Sequence, residues 1–287
     1  MEWRDRAGNP VPGEDGQNRM LEFLYGTRVG RAVVAVMIRP WVSRLAGAVM
    51  DSSISRWAIG PFVKKNRIDL SDYEDRRYRS FNDFFTRQIR EGARPVDPEK
   101  KHLISPCDSK LSVYPITADL RVPVKGTVYT MESLFRDRML VEQYEGGVFL
   151  LFRLTVGDYH RYCYPDHGFK GDNIRIPGVY HTVNPVAGEY YPVYRENTRE
   201  YSVLESENFG LMLMMEVGAA MVGRIVNNHG SGQVRRGQEK GRFEFGGSTV
   251  ILCLKKGQVV VDGDLLENTR NGIETVVRQG EKIGIKA

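Results

Sequence analysis

The chain has 287 residues, of which 41% are hydrophobic and 27% charged, which excludes a disordered polymer and suffices for a substantial core in one large domain or two modest ones. Three irregularly spaced cysteines (Cys107, Cys163, Cys253) exclude a disulfide framework and point to a reducing compartment. The net charge of +5 is concentrated: residues 19–67 carry nine basic and two acidic side chains, a local +7, so the rest of the chain sums to −2.

Residues 1–18 are polar, show no cleavable signal pattern and predict a loose tail. From Met20 to about Ile38 the pattern is helical, with Arg28, Arg31 and Arg39 on one arc, and Pro40 ends it. A second short helix is expected through Trp41, Leu45 and Val49. A third runs from Ser53 or Ser55 toward Trp57 and Ile59 and is interrupted at Gly60-Pro61, ahead of Lys64-Lys65. The longest uncharged piece here, Ala32 to Ile38, is seven residues, short of the roughly 18–20 that cross a bilayer. Two readings stay open. The helices lie in a lipid headgroup layer with Trp41 and Trp57 as anchors, or they cap the body with a solvated basic edge. No nucleic-acid motif accompanies the charge, so no nucleic-acid partner is expected.

Ser80-Phe81-Asn82-Asp83 has the form of a capping box, opening a helix with Phe81, Phe84, Phe85 and Ile89 that Gly92 and Pro95 close. Strand patterns dominate from His102: Lys110–Ile116, Leu120–Val124, Val148–Val156, Ile174–Ile176, Leu211–Val217, Arg224–Val226, Val250–Leu254, Gln258–Val261 and Thr275–Arg278. The expected class is α+β, a helical N-terminal region over 1–95 followed by a mostly antiparallel β-rich body over 96–287.

Chemistry-bearing groups are few. His160 stands in a polar cluster, Gly157-Asp158-Tyr159-His160-Arg161-Tyr162, just past an apolar strand, where side chains leave a core for a cleft. Asp108 lies in a turn entering a strand, where its carboxylate either orients an imidazole or bonds its own backbone. His160 and Cys163 lack a second ligand pair of comparable spacing, so no metal is expected. The glycines of 230–241 do not match a phosphate loop and read as a mobile loop carrying Arg235, Arg236 and Lys240. Gly246-Gly247-Ser248-Thr249 sets a hydroxyl beside an unhindered carbonyl, the local requirement for a chain to attack its own backbone. An ordinary hairpin corner has the same form.

Taken together and in order, several segments resemble the phosphatidylserine decarboxylase proenzymes. They are Phe81-Asn82-Asp83-Phe84-Phe85-Thr86-Arg87 with Gly92-Ala93-Arg94-Pro95, Ser105-Pro106-Cys107-Asp108, Asp158-Tyr159-His160-Arg161, Ile176 to Pro185, Val217 to Ile225, and Glu239-Lys240-Gly241 before Phe245-Gly246-Gly247-Ser248-Thr249. The resemblance implies cleavage between Gly247 and Ser248 into a β chain (1–247) and an α chain (248–287), with Ser248 becoming a pyruvoyl cofactor. That group would form a Schiff base with the serine amine of phosphatidylserine and yield phosphatidylethanolamine. It implies Asp108 and His160 as the pair assisting Ser248, with His181 and His167 as accessory candidates, while charge and position make Arg235, Arg236 and Lys240 candidates for the substrate phosphate. It further implies a peripheral protein on an anionic phospholipid membrane, at the cytoplasmic face, and a heterodimer of its own two chains, with higher oligomers left open. Many family members have His where Cys163 stands here. That departure keeps an uncleaved lipid-binding protein as the alternative, beside a decarboxylase of another serine-headed, archaetidylserine-like lipid.

Overall fold

In the computed structural model, which describes residues 2–12, 40–124, 127–178, 197–218, 224–244 and 248–287, the chain opens with strands β1 (Trp3–Arg4) and β2 (Pro10–Val11). Helix α1 (Pro40–Asp51), a 3-10 turn (Ser53–Ala58), α2 (Ile59–Asn66) and α3 (Phe81–Phe85) follow. Next come β3 (His102–Ile104), β4 (Ser109–Pro115), β5 (Arg121–Val124), β6 (Thr127–Thr130), α4 (Met131–Phe135) and α5 (Arg138–Glu142). Then β7 (Val148–Leu154), β8 (Arg161–Cys163), β9 (Gly168–Lys170), β10 (Ile174–Ile176), β11 (Arg199–Ser206) and β12 (Gly210–Val217). The last elements are β13 (Ile225–Asn227), β14 (Gly232–Val234), β15 (Glu239–Phe243), β16 (Ser248–Leu254), β17 (Val259–Val261), α6 (Gly263–Arg270), β18 (Glu274–Val277) and β19 (Lys282–Lys286).

One large sheet runs β14-β9-β11-β12-β16-β7-β4-β18-β1-β2, with β10 beside β11; its pairings are antiparallel except β1 with β18. Two three-stranded sheets, β13-β15-β8 and β17-β19-β3, and the hairpin β5-β6 complete the strands among the described residues. Strand β16 is an uninterrupted run of seven buried residues, the pattern of a strand covered on both faces. Val250, Leu252 and Leu254 face one core with Phe152, Leu154 and Met214, whereas Ile251 and Cys253 face the other with Phe149, Leu213 and Met215. Each large aliphatic side chain so buried contributes roughly 1.5–3 kcal/mol. Tyr162 and Phe243 of the β13-β15-β8 sheet close the first core, and α4 with the β5-β6 hairpin closes the second, giving three layers.

The helical part meets the body through α3. Ser80 Oγ accepts from the Asp83 backbone N–H at 3.1 Å, the expected N-cap, yet the helix stops at Phe85 and does not reach Ile89. The Phe81 N–H donates to Ser55 Oγ at 2.8 Å, and the Phe62 ring sits edge-on to Phe81 and Phe84.

Three further expectations are corrected. Residues 2–12 are not a loose tail, because β1 adds to the large sheet and Arg6 donates to Asp262 at 2.8 Å and Asp264 at 2.6 Å. Gly60-Pro61 does not interrupt the third helix. Pro61 falls in the first turn of α2, where its missing N–H costs nothing. The 230–241 stretch is two strands joined by a turn rather than a loop. The helix expected over Met20–Ile38 lies outside the described residues, and no helix among those described is long and apolar enough to cross a membrane.

Since β16 is hydrogen-bonded to strands on both sides, a chain cut between Glu244 and Ser248 is expected to stay one particle. Its two fragments should co-elute from a sizing column in native buffer and part only in denaturant; separation in native buffer would contradict this topology.

Candidate functional site

Ser248, the first residue of β16, is fully buried. Thr249 and Lys110 both stand opposite Arg153 of β7, so β16 and β4 begin at the same end of the sheet. Asp108, which immediately precedes β4, therefore shares that end with Ser248, one strand apart, on the order of 10 Å between backbones at the usual strand spacing.

His160 precedes β8, and its carbonyl accepts from the N–H of Phe243, the last residue of β15, the strand that leads to Ser248. Its ring is buried and packs on Phe85, with centroids 3.9 Å apart. Nδ1 lies 2.9 Å from the carbonyl oxygen of Asp158. A carbonyl only accepts, so Nδ1 carries a hydrogen, and in the neutral ring the lone pair falls on Nε2, the tautomer a general base requires. The loop that orients the ring is itself fixed. Asp158 accepts from the Thr155 N–H at 2.6 Å and Lys110 Nζ at 2.7 Å, and buried Arg87 donates to Gly157 O at 3.0 Å.

The carboxylate of Asp108 is gripped elsewhere. Oδ2 accepts from Arg94 Nη2 at 2.7 Å and Oδ1 from Arg94 Nε at 3.0 Å, while the Gln279 N–H adds a 2.8 Å bond to Oδ1. Burial works against the Arg94 charge, but Asp108 and Asp72 hold its guanidinium above the ordinary arginine range. Cys163 sits beside the same turn, its N–H donating to Pro106 O at 2.8 Å. Burial pushes the Cys163 thiol up to about 12 and the Cys107 thiol well above its usual value, so neither is a ready nucleophile.

The basic trio of 235–240 does not converge on Ser248. Lys240 is fully buried and all three of its ammonium hydrogens are committed, to both oxygens of Glu216 at 2.7 Å and to Asn227 Oδ1 at 2.9 Å. Burial pushes Glu216 up and Lys240 down. Glu216 stands opposite Val250, so on the same face it is the diagonal neighbour of Ser248, about 7–8 Å away. Arg236 donates to His102 O at 2.6 Å and Arg235 is exposed, both in the turn before β15 and so a strand length from the end leading to Ser248.

The accessory histidines part company as well. The His167 carbonyl bonds the Glu207 N–H at the β11–β12 turn, the opposite end of the sheet from Ser248, on the order of 20 Å along the strands. That position corrects its accessory reading. His181 and Gly247 lie outside the described residues. Sequence reasoning missed Arg87, Arg94 and Glu216; a lone acid inside the apolar stretch 211–217 was the one signal available for a buried pair.

Two outcomes follow from these buried groups. Lys240→Met should lower unfolding free energy by about 3–5 kcal/mol by stranding Glu216, and adding Glu216→Leu should recover most of it in denaturant titrations. Native protein at pH 8 should resist iodoacetamide at Cys107 and Cys163, whereas peptide mapping after denaturation should find both modified.

A family model described as phosphatidylserine decarboxylase matches residues 81–285. Over 271 residues the chain is 46% identical to a phosphatidylserine decarboxylase proenzyme 2 of Clostridium acetobutylicum, covering 93% of this chain and 92% of that one. It is 40% identical over 272 residues to a phosphatidylserine decarboxylase proenzyme of Fusobacterium nucleatum (92% and 90%), and 40% over 274 residues to one of Desulfitobacterium hafniense (93% and 92%).

Proposed function

Because the chain belongs to the phosphatidylserine decarboxylase family, we propose that it is made as a proenzyme, cuts itself between Gly247 and Ser248, and converts phosphatidylserine to phosphatidylethanolamine. The observation that carries this reading is the position of Ser248. It lies within the family match, buried at the head of a strand paired on both sides, at the end of the strand layer that also holds His160 and Asp108. His160 Nε2 takes the proton from Ser248 Oγ as the oxygen attacks the Gly247 carbonyl, replacing the peptide bond with an ester. Loss of the Ser248 α-proton then expels Gly247 as a free carboxylate and leaves dehydroalanine, whose imine tautomer is hydrolysed by one water to release ammonia and leave a pyruvoyl group at the head of β16.

The surroundings of Ser248 fit such a group. The position is fully buried, so a reactive carbonyl there is shielded from water, and β16 is locked on both edges, so the carbonyl keeps one orientation. The pyruvoyl group supplies an electron-withdrawing carbonyl that takes up the electron pair left as carbon dioxide departs. His160 is the residue that returns a proton to the substrate carbon.

The same reading brings the helical part to an anionic phospholipid surface at the cytoplasmic face of the membrane. Its support is the exposure of Ile54 and Trp57, each 74%, and of Leu45, 58%, in a part of the chain that also carries Arg56, Lys64 and Lys65. The working enzyme is then a heterodimer of the 1–247 and 248–287 pieces.

Intact-mass measurement of freshly made protein should find two chains, the smaller with a blocked N-terminus, and lipid chromatography should detect phosphatidylethanolamine. Ser248→Ala should give one whole chain with no decarboxylation. A wild-type chain that stays whole yet decarboxylates would sink the pyruvoyl route, and one that stays whole and only binds liposomes would favour a lipid-binding protein.

A further inference from the structure

The resemblance assigns Asp108 to an acid–imidazole pair, but the carboxylate is held by a guanidinium. Four contacts define it: Arg94 Nε to Oδ1 and Oδ2 at 3.0 and 3.1 Å, Nη2 to Oδ2 at 2.7 Å, and the Gln279 N–H to Oδ1 at 2.8 Å. Arg94 is fixed in turn, its Nη1 donating to Asp72 Oδ2 at 2.7 Å and to Ala93 O at 2.8 Å. The fork is thus aimed before any chemistry starts, and both partners of the ion pair are only 10% exposed.

Three observations give this pair a role in the reaction. First, Cys163 sits beside the Asp108 turn, and its buried thiol cannot serve as the cationic partner of a carboxylate. Second, the Asp158 carbonyl orients the His160 ring at its Nδ1, while both oxygens of Asp108 are taken up by Arg94 and the Gln279 N–H. Third, Asp108 touches both pieces of the divided chain, since Arg94 precedes the cut and Gln279 follows it.

We propose, building on the proenzyme reading, that Arg94 is a positioning residue for chain cleavage, clamping Asp108 as a fixed anion between the two pieces while His160 serves as the base. Asp108 then exerts its effect through charge and through the position of the 277–279 strand end, not by holding the imidazole. The planar fork is essential, because a lysine ammonium cannot span both carboxylate oxygens and Asp72 together.

The test follows cleavage of the full chain by intact mass, with a thermal melt as the folding control. Arg94→Ala should slow cleavage roughly 10- to 100-fold, the range for losing bonds to a charged group, with a cooperative melt retained. Millimolar guanidinium should restore part of the rate in Arg94→Ala and none in His160→Ala, which a merely structural arginine would not produce. Arg94→Lys should stay slow. Arg94→Ala cleaving at the wild-type rate, or slowed and deaf to guanidinium, overturns the proposal while leaving the proenzyme reading intact. A wild-type chain that never cleaves overturns both. Should Arg94→Ala not fold, Asp72→Asn loosens the far end of the fork without touching Asp108 and should slow cleavage several-fold; an unchanged rate there also overturns the proposal.

Discussion

The structure depends on β16 being hydrogen-bonded along both edges while its seven residues are buried on both faces. A strand in that situation cannot shift register by one residue without exchanging Val250, Leu252 and Leu254 for Ile251 and Cys253 between two differently shaped cores. Its first residue is therefore located as firmly as its middle. Ser248 gains a fixed position from the packing of residues several places further on, so the site needs few contacts of its own to hold the serine.

Charge inside the protein is managed by pairs that join separate segments of the chain. Lys240 of the small sheet reaches Glu216 of the large one, Lys110 reaches Asp158, and Arg94 reaches Asp108. Such pairs return little net stability once desolvation is counted, but breaking one member is costly, so they act as registration pins between elements that apolar packing alone would let slide. Arg87 does the same with neutral partners, joining the helical part to the loop that orients His160 through Gly157 O and the ring of Tyr73.

Much of this was legible in the residues. Strands β7, β12 and β16 announce themselves as apolar runs, and the cluster around His160 announces an exit from the core. What stayed hidden has physical causes. Strand β11 carries Glu200, Ser202 and Ser206 on one face and Arg199 and Glu205 on the other, so it lacks the apolar alternation that marks a strand. Helices α4 and α5 are five residues each, too short for periodicity, and the α4 capping box pairs Thr130 with Ser133 in place of an acid. Strand β1 draws its stability from β18 at the other end of the chain, which no local pattern encodes. The role of Arg94 was hidden for a related reason, since its partners Asp72 and Asp108, and the Gln279 N–H that shares Asp108, meet only in three dimensions.

The placement of β16 also orders events during synthesis. Residues 148–154 and 210–217 leave the ribosome well before 248–254, yet they do not pair with each other; each pairs with the strand still to come. Until then the middle of the sheet stands open as two unfilled edges, templates for the addition of any other strand. Strand β18, inserted between β4 and β1, closes a second gap later still. The arrangement delays assembly of the Ser248 end until nearly all of the sheet has been translated, so a chain that stalls early carries the serine's neighbours but no geometry in which to use them.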